Sequence, residues 1–150
     1  MLTVGSPAPD VVLTNQNAEV VDLATLRGKR VLVFFYPKAN TPGCTQQACG
    51  LRDVAMSVDN TVIVGISPDK PAAQKKFDDK YELGFDLLAD TDHTVAEAFG
   101  VWQEKVNYGK RYMGIVRSAF LIDAGGLIEQ AWYKISPADT PKKMLEAVGK

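Results

Sequence analysis

Two apolar runs constrain this chain more than anything else in it: RVLVFFYP at 30–37 and TVIVGIS at 61–67. Neither alternates apolar with polar residues, as a strand with one face in water would. Each therefore predicts a strand covered on both faces, as in a parallel sheet packed between helices. The roughly twenty residues between them have helical character from 42 to about 58, and strand–helix–strand of this kind is a βαβ unit. Further along, a second helix is expected over about 70–81, FDLLAD as a short strand, and HTVAEAFG as a third helix stopped by Gly100. IVRSAFLID and LIEQAWYK read as two strands joined by AGG, a hairpin signal. An amphipathic helix closes the chain from about 137 to 148. Before the first run, VGSPAPDVVL reads as an extended arm, 20–23 as a short strand, and DLATLRG as one helical turn ending at Gly28. The order predicts an α/β chain: a thioredoxin-like three-layer sandwich, with a mixed central sheet flanked by helices, in a single domain spanning 1–150.

Composition serves mainly to exclude. With 46% hydrophobic residues, 23% charged residues and a net charge of −1, the chain has no basic track for a nucleic-acid backbone. Its apolar runs are too short for a membrane helix. MLTVGSPAPD has neither the basic start nor the apolar stretch of a signal peptide. The expected compartment is the cytoplasm, where thiols stay reduced unless they serve a redox function.

That bears on TPGCTQQACG at 41–50, which holds both cysteines, Cys44 and Cys49. Thr41 precedes Pro42 and is pushed out of the helical region; threonine is also a good N-cap, and proline is favoured at the first helical position. Cys44 then falls in the first turn, among amide groups without helical partners, where the helix dipole favours negative charge. A free thiol titrates at about 8.5, and a helix start with an arginine nearby brings that to about 7 or below. The pattern predicts a nucleophilic thiolate; the plainer alternative is a buried cysteine that happens to begin a helix.

If both cysteines lie on one helix, five residues rotate it by about 500° and separate the Cα atoms by about 8.6 Å. A disulfide needs no more than about 6.8 Å. The pair cannot bridge while the helix is intact, so a permanent staple is excluded. A bridge requires the first turns to unwind: Cys44 oxidised to a sulfenic acid, then condensing with Cys49. Gly50 and the polar TQQ stretch make melting easier. Otherwise Cys49 is a small core residue. A zinc site fits poorly, since C-x4-C and one distant histidine, His93, do not make four ligands. His93 reads as a solvated loop or helix-start residue. No metal or cofactor is expected.

A cation near Cys44 is expected from Arg27, Arg30, Arg52, Arg111 or Arg117. Arg117 stands out, because in IVRSAFLID it shares one strand face with Ile115, Ala119 and Leu121, and a buried guanidinium needs an anionic partner. Arg52 beside Asp53 suits a surface pair.

The segment YPKANTPGCTQQACGLRD resembles the active-site segment of the peroxiredoxins, in which proline, threonine and cysteine recur at the spacing of Pro37, Thr41 and Cys44. The second cysteine five positions on is similar to the peroxiredoxin Q, or bacterioferritin comigratory protein, branch. The likeness extends to GSPAPD, VLVFFYP, GISPDK, LLADTDHTVAEAFGVW and RSAFLID, nearly the whole chain. It implies an antioxidant thiol peroxidase acting on hydrogen peroxide and organic hydroperoxides. Cys44 would be peroxidatic and Cys49 resolving, as in atypical 2-Cys enzymes. Thr41 would hydrogen-bond peroxide and thiolate, Pro37 would shield the pocket from water, and Arg117 would steady the thiolate. The amides of Gly43 and Cys44 would help bind peroxide. Thioredoxin or a similar dithiol protein would reduce the disulfide, and the branch suggests a monomer. One departure is Gln47, where many members of the family carry glutamate.

Two other functions compete. A thioredoxin-type oxidoreductase expects C-x-x-C and a proline before a strand facing the cysteines, yet no proline occurs between Pro71 and Pro137. A redox-sensing binding module or chaperone would keep its partner after Cys44→Ser.

Overall fold

The computed structural model describes residues 2–55, 58 and 60–148. Strands β1 (Val12–Asn15) and β2 (Val20–Asp22) form a short antiparallel pair. A three-ten turn, Leu23–Leu26, capped by the Asp22 carboxylate accepting from the Ala24 amide, leads to β3 (Arg30–Phe35). Then follow α1 (Pro42–Val54), β4 (Thr61–Ser67), α2 (Pro71–Tyr81), β5 (Asp86–Ala89) and α3 (Thr94–Ala98). A separate antiparallel ribbon, β6 (Trp102–Asn107) with β7 (Lys110–Ile115), comes next. The hairpin β8 (Ser118–Ile122) and β9 (Ile128–Trp132), and then α4 (Asp139–Val148), complete the chain.

Among the described residues, seven strands make one sheet in the order β2-β1-β5-β4-β3-β8-β9. The expected mixed sheet is present: β3, β4 and β5 run parallel, β8 is antiparallel to β3, and β1 is antiparallel to β5. The central run shows why it needs no polar alternation. Val31, Val33 and Phe35 enter one core with Val95, Ala96 and Phe99 around α3. Leu32, Phe34 and Tyr36 enter the other, with Ala48 and Leu51 of α1, Phe77 of α2 and Met144 of α4. Alternate side chains of one strand thus fill both layers. Cys44 belongs to the second core.

Four readings change. The opening arm contains a strand, β1, held between β2 and β5. The first helix ends at Val54, short of 58, and residues 56 and 57 lie outside those described. The ribbon β6–β7 was not anticipated; its two-residue turn places Tyr108 (φ 51°) and Gly109 (φ 76°) in the left-handed region that such hairpins need. Finally, IVRSAFLID is not one strand. The chain exchanges partners within it: Ile115 still pairs with Trp102 of β6, whereas Ser118 already pairs with Phe35 of β3. Val116 and Arg117 fall in the gap, where the Val116 amide donates to Val101 O and the Ile135 amide to Arg117 O. Arg117 therefore sits at a junction of strands rather than among apolar neighbours on a strand face. Among the described residues, no helix is long and apolar enough to cross a membrane.

Candidate active site

At the end of β3 the chain leaves the sheet through Tyr36 and half-buried Pro37, and re-enters regular structure at Thr41. Thr41 is the N-cap by its backbone (φ −89°, ψ 158°), with Pro42 following at the first helical position. The first helical hydrogen bond runs from the Thr45 amide to Thr41 O, 2.8 Å. The amides of Gly43 and Cys44 precede it and have no carbonyl one turn back. The Thr41 hydroxyl does not cap the helix, as its residue type suggested. It donates to Lys38 O at 2.8 Å, so its proton is committed and its lone pairs remain to accept.

Cys44 is 1% exposed, and its sulfur lies 3.5 Å from both Nη1 and Nη2 of Arg117. A two-pronged guanidinium contact of this kind sets a positive charge and two donors directly against the sulfur. Glycine at 43 permits it, since a Cβ there would stand 3.0 Å from Arg117 Nη2. Arg117 Nη1 also donates to Gln47 Oε1 at 2.8 Å. Gln47 is fully buried, and its amide nitrogen donates to Thr140 Oγ1 of α4 at 3.0 Å.

The loop ahead of Cys44 has its own anchor. Asp69 Oδ2 accepts from the Ala39 amide at 2.6 Å and from the Ser67 hydroxyl at 2.7 Å. Gln74 Nε2 donates to Ser67 Oγ at 2.8 Å and to Leu88 O at 3.2 Å, and Gln74 Oε1 accepts from the buried Tyr36 hydroxyl. Burial pushes the Tyr36 hydroxyl far above the ordinary tyrosine range; Asp69 and Cys44 add to the shift, and bonds to Ser67 and Gln74 oppose it. Beside Arg117 opens a groove of about 590 Å³, lined in part by Gln103, Lys105, Tyr112, Lys134 and Ile135. Lys105 titrates below the ordinary lysine range through desolvation and the charge of Arg117, against the opposing pull of Cys44.

The structure thus gathers Thr41, Gly43, Cys44 and Arg117 at one helix start, with Pro37 at the head of the loop. Cys49 stays a free, half-buried thiol further along α1, packed against the second core, and Cys44 is free as well. Arg52 pairs with Asp53 at 2.9 Å, as expected of a surface pair. His93 occupies the N-cap position of α3 without a side-chain cap bond, and it stacks flat on Trp102, with ring centroids 3.9 Å apart. Tyr36, Asp69, Gln74, Lys105 and Thr140 escaped the sequence reading. Of these, Tyr36 and Asp69 fall within segments that carry the family likeness, VLVFFYP and GISPDK, without a role assigned to either.

The AhpC/TSA family model matches residues 4–131. The chain belongs to the AhpC/TSA family. This peroxiredoxin is 51% identical over 133 residues to Peroxiredoxin Bcp of Escherichia coli strain K12, covering 87% of this chain and 85% of that one. It is 43% identical over 149 residues to Peroxiredoxin Bcp of Bacillus subtilis strain 168, covering 98% and 95%. Among solved structures it resembles the Bacterioferritin Comigratory Protein of Xanthomonas campestris, studied for alkyl peroxide reduction, with TM-score 0.86, 32% identity, and coverage of 91% and 88%. The peroxiredoxin is a peroxidase with a thioredoxin-like fold.

Proposed function

We propose that Cys44 is the peroxidatic cysteine and Cys49 its resolving partner, in a cycle that requires α1 to open. The observation that carries this reading is the paired contact of the Arg117 guanidinium with the buried Cys44 sulfur. The thiolate attacks the outer oxygen of a hydroperoxide. The O–O bond breaks, the sulfur keeps the transferred oxygen as a sulfenic acid, and the leaving alkoxide or hydroxide takes a proton to become alcohol or water. Thr41, its own proton given to Lys38 O, accepts the peroxide O–H. The Gly43 and Cys44 amides and Arg117 stabilise the charge that passes to the departing oxygen, and Pro37 keeps water from the sulfur. These donors are fixed before the reaction, and removing one of this type costs about 10²–10³ in rate.

Resolution follows. The Cys49 sulfur attacks the Cys44 sulfenic acid, an S–S bond forms and water leaves. An unbroken α1 holds the two residues too far apart for that bond, at about 8.6 Å between Cα atoms, so its first turns unwind. Thioredoxin or a similar dithiol protein then reduces the bridge by exchange. We read 1–150 as a single catalytic domain, monomeric and cytoplasmic. The test is a coupled assay with peroxide and a thioredoxin system. Cys44→Ser abolishes turnover; Cys49→Ser gives one rapid turnover and then stops. Sustained turnover by either variant contradicts the assignment of that residue.

A further inference from the structure

Gln47 lies between the two cysteines, three residues after Cys44 and two before Cys49. Its side-chain bonds form a polar chain with a fixed direction. The Thr140 hydroxyl donates to Ser136 O at 2.9 Å, which leaves its oxygen to accept from Gln47 Nε2 at 3.0 Å. That fixes which way the amide points, so Gln47 Oε1 faces Arg117 Nη1 at 2.8 Å. Gln47 and Thr140 are both fully buried. The backbones beneath them are close as well: a Cβ at Gly50 would stand 3.0 Å from Pro141 Cγ of α4. Here Gly50, read from the sequence as a weak point of the helix, is the place where α4 seats against it.

We infer that the Thr140–Gln47 hydrogen bond is a latch between α4 and the first turns of α1, and that it sets how readily the oxidised helix opens. The inference rests on the resolution cycle proposed above. After Cys44 becomes a sulfenic acid, two reactions compete for it. In the opened helix the Cys49 thiol attacks the sulfenic sulfur, giving a disulfide and water. In the closed helix, where Arg117 and the helix-start amides still surround the sulfur, a second hydroperoxide attacks. The sulfenate takes one more oxygen to become a sulfinate, the O–O bond breaks, and alcohol leaves. A tighter latch lengthens the closed lifetime and favours the second reaction; a looser one favours the disulfide. Thr140 touches neither sulfur nor peroxide. It is a positioning residue acting through Gln47.

Thr140→Val keeps the shape but leaves Gln47 Nε2 a buried donor without an acceptor in the closed helix, a defect relieved when the helix opens to water. The expected result is about tenfold faster disulfide formation after one equivalent of hydrogen peroxide, read by quenched mass spectrometry. The peroxide concentration giving half sulfinate during turnover rises by a similar factor. Thr140→Ser, which keeps the hydroxyl, restores wild-type values. In a Gln47→Leu background Thr140→Val has no further effect, because the bond is already gone; a merely structural role for Thr140 would persist there. Equal disulfide rates in wild type and Thr140→Val overturn the latch while leaving the cycle standing. A wild-type protein that forms no Cys44–Cys49 disulfide overturns the cycle, and the latch with it.

Discussion

On the α2 side of Cys44, the loop ahead of the sulfur hangs from a carboxylate. Asp69 takes the Ala39 amide and the Ser67 hydroxyl, and Gln74 and Tyr36 extend the network into the core. On the α4 side, the residues after the sulfur are tied to α4 by a bond between neutral side chains, Gln47 to Thr140, while Arg117 holds Gln47 from its other end. Hydrogen bonds with an ionised partner contribute about 1.5–3 kcal/mol, and neutral ones about 0.5–1.5 kcal/mol. In the proposed cycle the strongly held side contains what must stay put while peroxide binds. The weakly held side contains what must let go for Cys49 to arrive. Arg117 stands between them, touching the sulfur and Gln47 together. Opening the helix therefore removes the guanidinium's support at the moment its work on peroxide is complete.

The contrast breaks if the two sides prove interchangeable. The largest effect is expected from Asp69→Asn, which gives up charge assistance in the bond to the loop at Ala39 and in the bond to Ser67 of β4. The peroxide step falls roughly tenfold to a hundredfold in stopped-flow measurements, with disulfide formation unchanged. Equal slowing of both steps would merge the two sides into one. A smaller effect comes from Tyr36→Phe, which leaves Gln74 Oε1 without its buried donor and lowers stability to urea by about 1–2 kcal/mol.

The same variant carries a pH signature. The folded protein holds the Tyr36 proton above the ordinary range, so the unfolded chain binds fewer protons once its tyrosine ionises at about 10. This contribution to stability is complete below that pH and is lost as pH rises beyond it, by about 1.4 kcal/mol per unit. Tyr36→Phe removes that part of the alkaline slope. An identical slope in both proteins would place the tyrosine in contact with water.

What could be read from the sequence was what neighbouring residues decide among themselves. RVLVFFYP announces burial on both faces without reference to anything distant, and Thr41-Pro42 announces a helix start. The sulfur's position in the first turn follows from those alone. Arg117 was singled out on a picture of its strand that the structure does not keep, although its guanidinium does meet the Cys44 sulfur. The switch from β6 as neighbour to β3 is a tertiary event, and IVRSAFLID carries no glycine or proline to mark it. The ribbon was hidden because a Tyr108-Gly109 turn lacks the Asn-Gly or Asp-Gly signal and its strands bury little: Val106 is 67% exposed and Met113 49%. Gln47 showed only as part of a polar stretch and as a departure from a family pattern. Its meaning depends on Thr140, more than ninety positions away, and no local rule joins the two.

The central claim is that one sulfur reacts with peroxide and the other closes the cycle only after α1 opens. Its most direct measurement exposes the reduced protein to one equivalent of hydrogen peroxide, follows helical circular dichroism, and maps the cysteines after an alkylating quench. The expected result is a Cys44–Cys49 disulfide within each chain, both thiols lost, and a fall in helical signal that keeps time with the bridge. Cys49 recovered as a free, alkylated thiol, or a bridge formed with the helical signal unchanged, would contradict it.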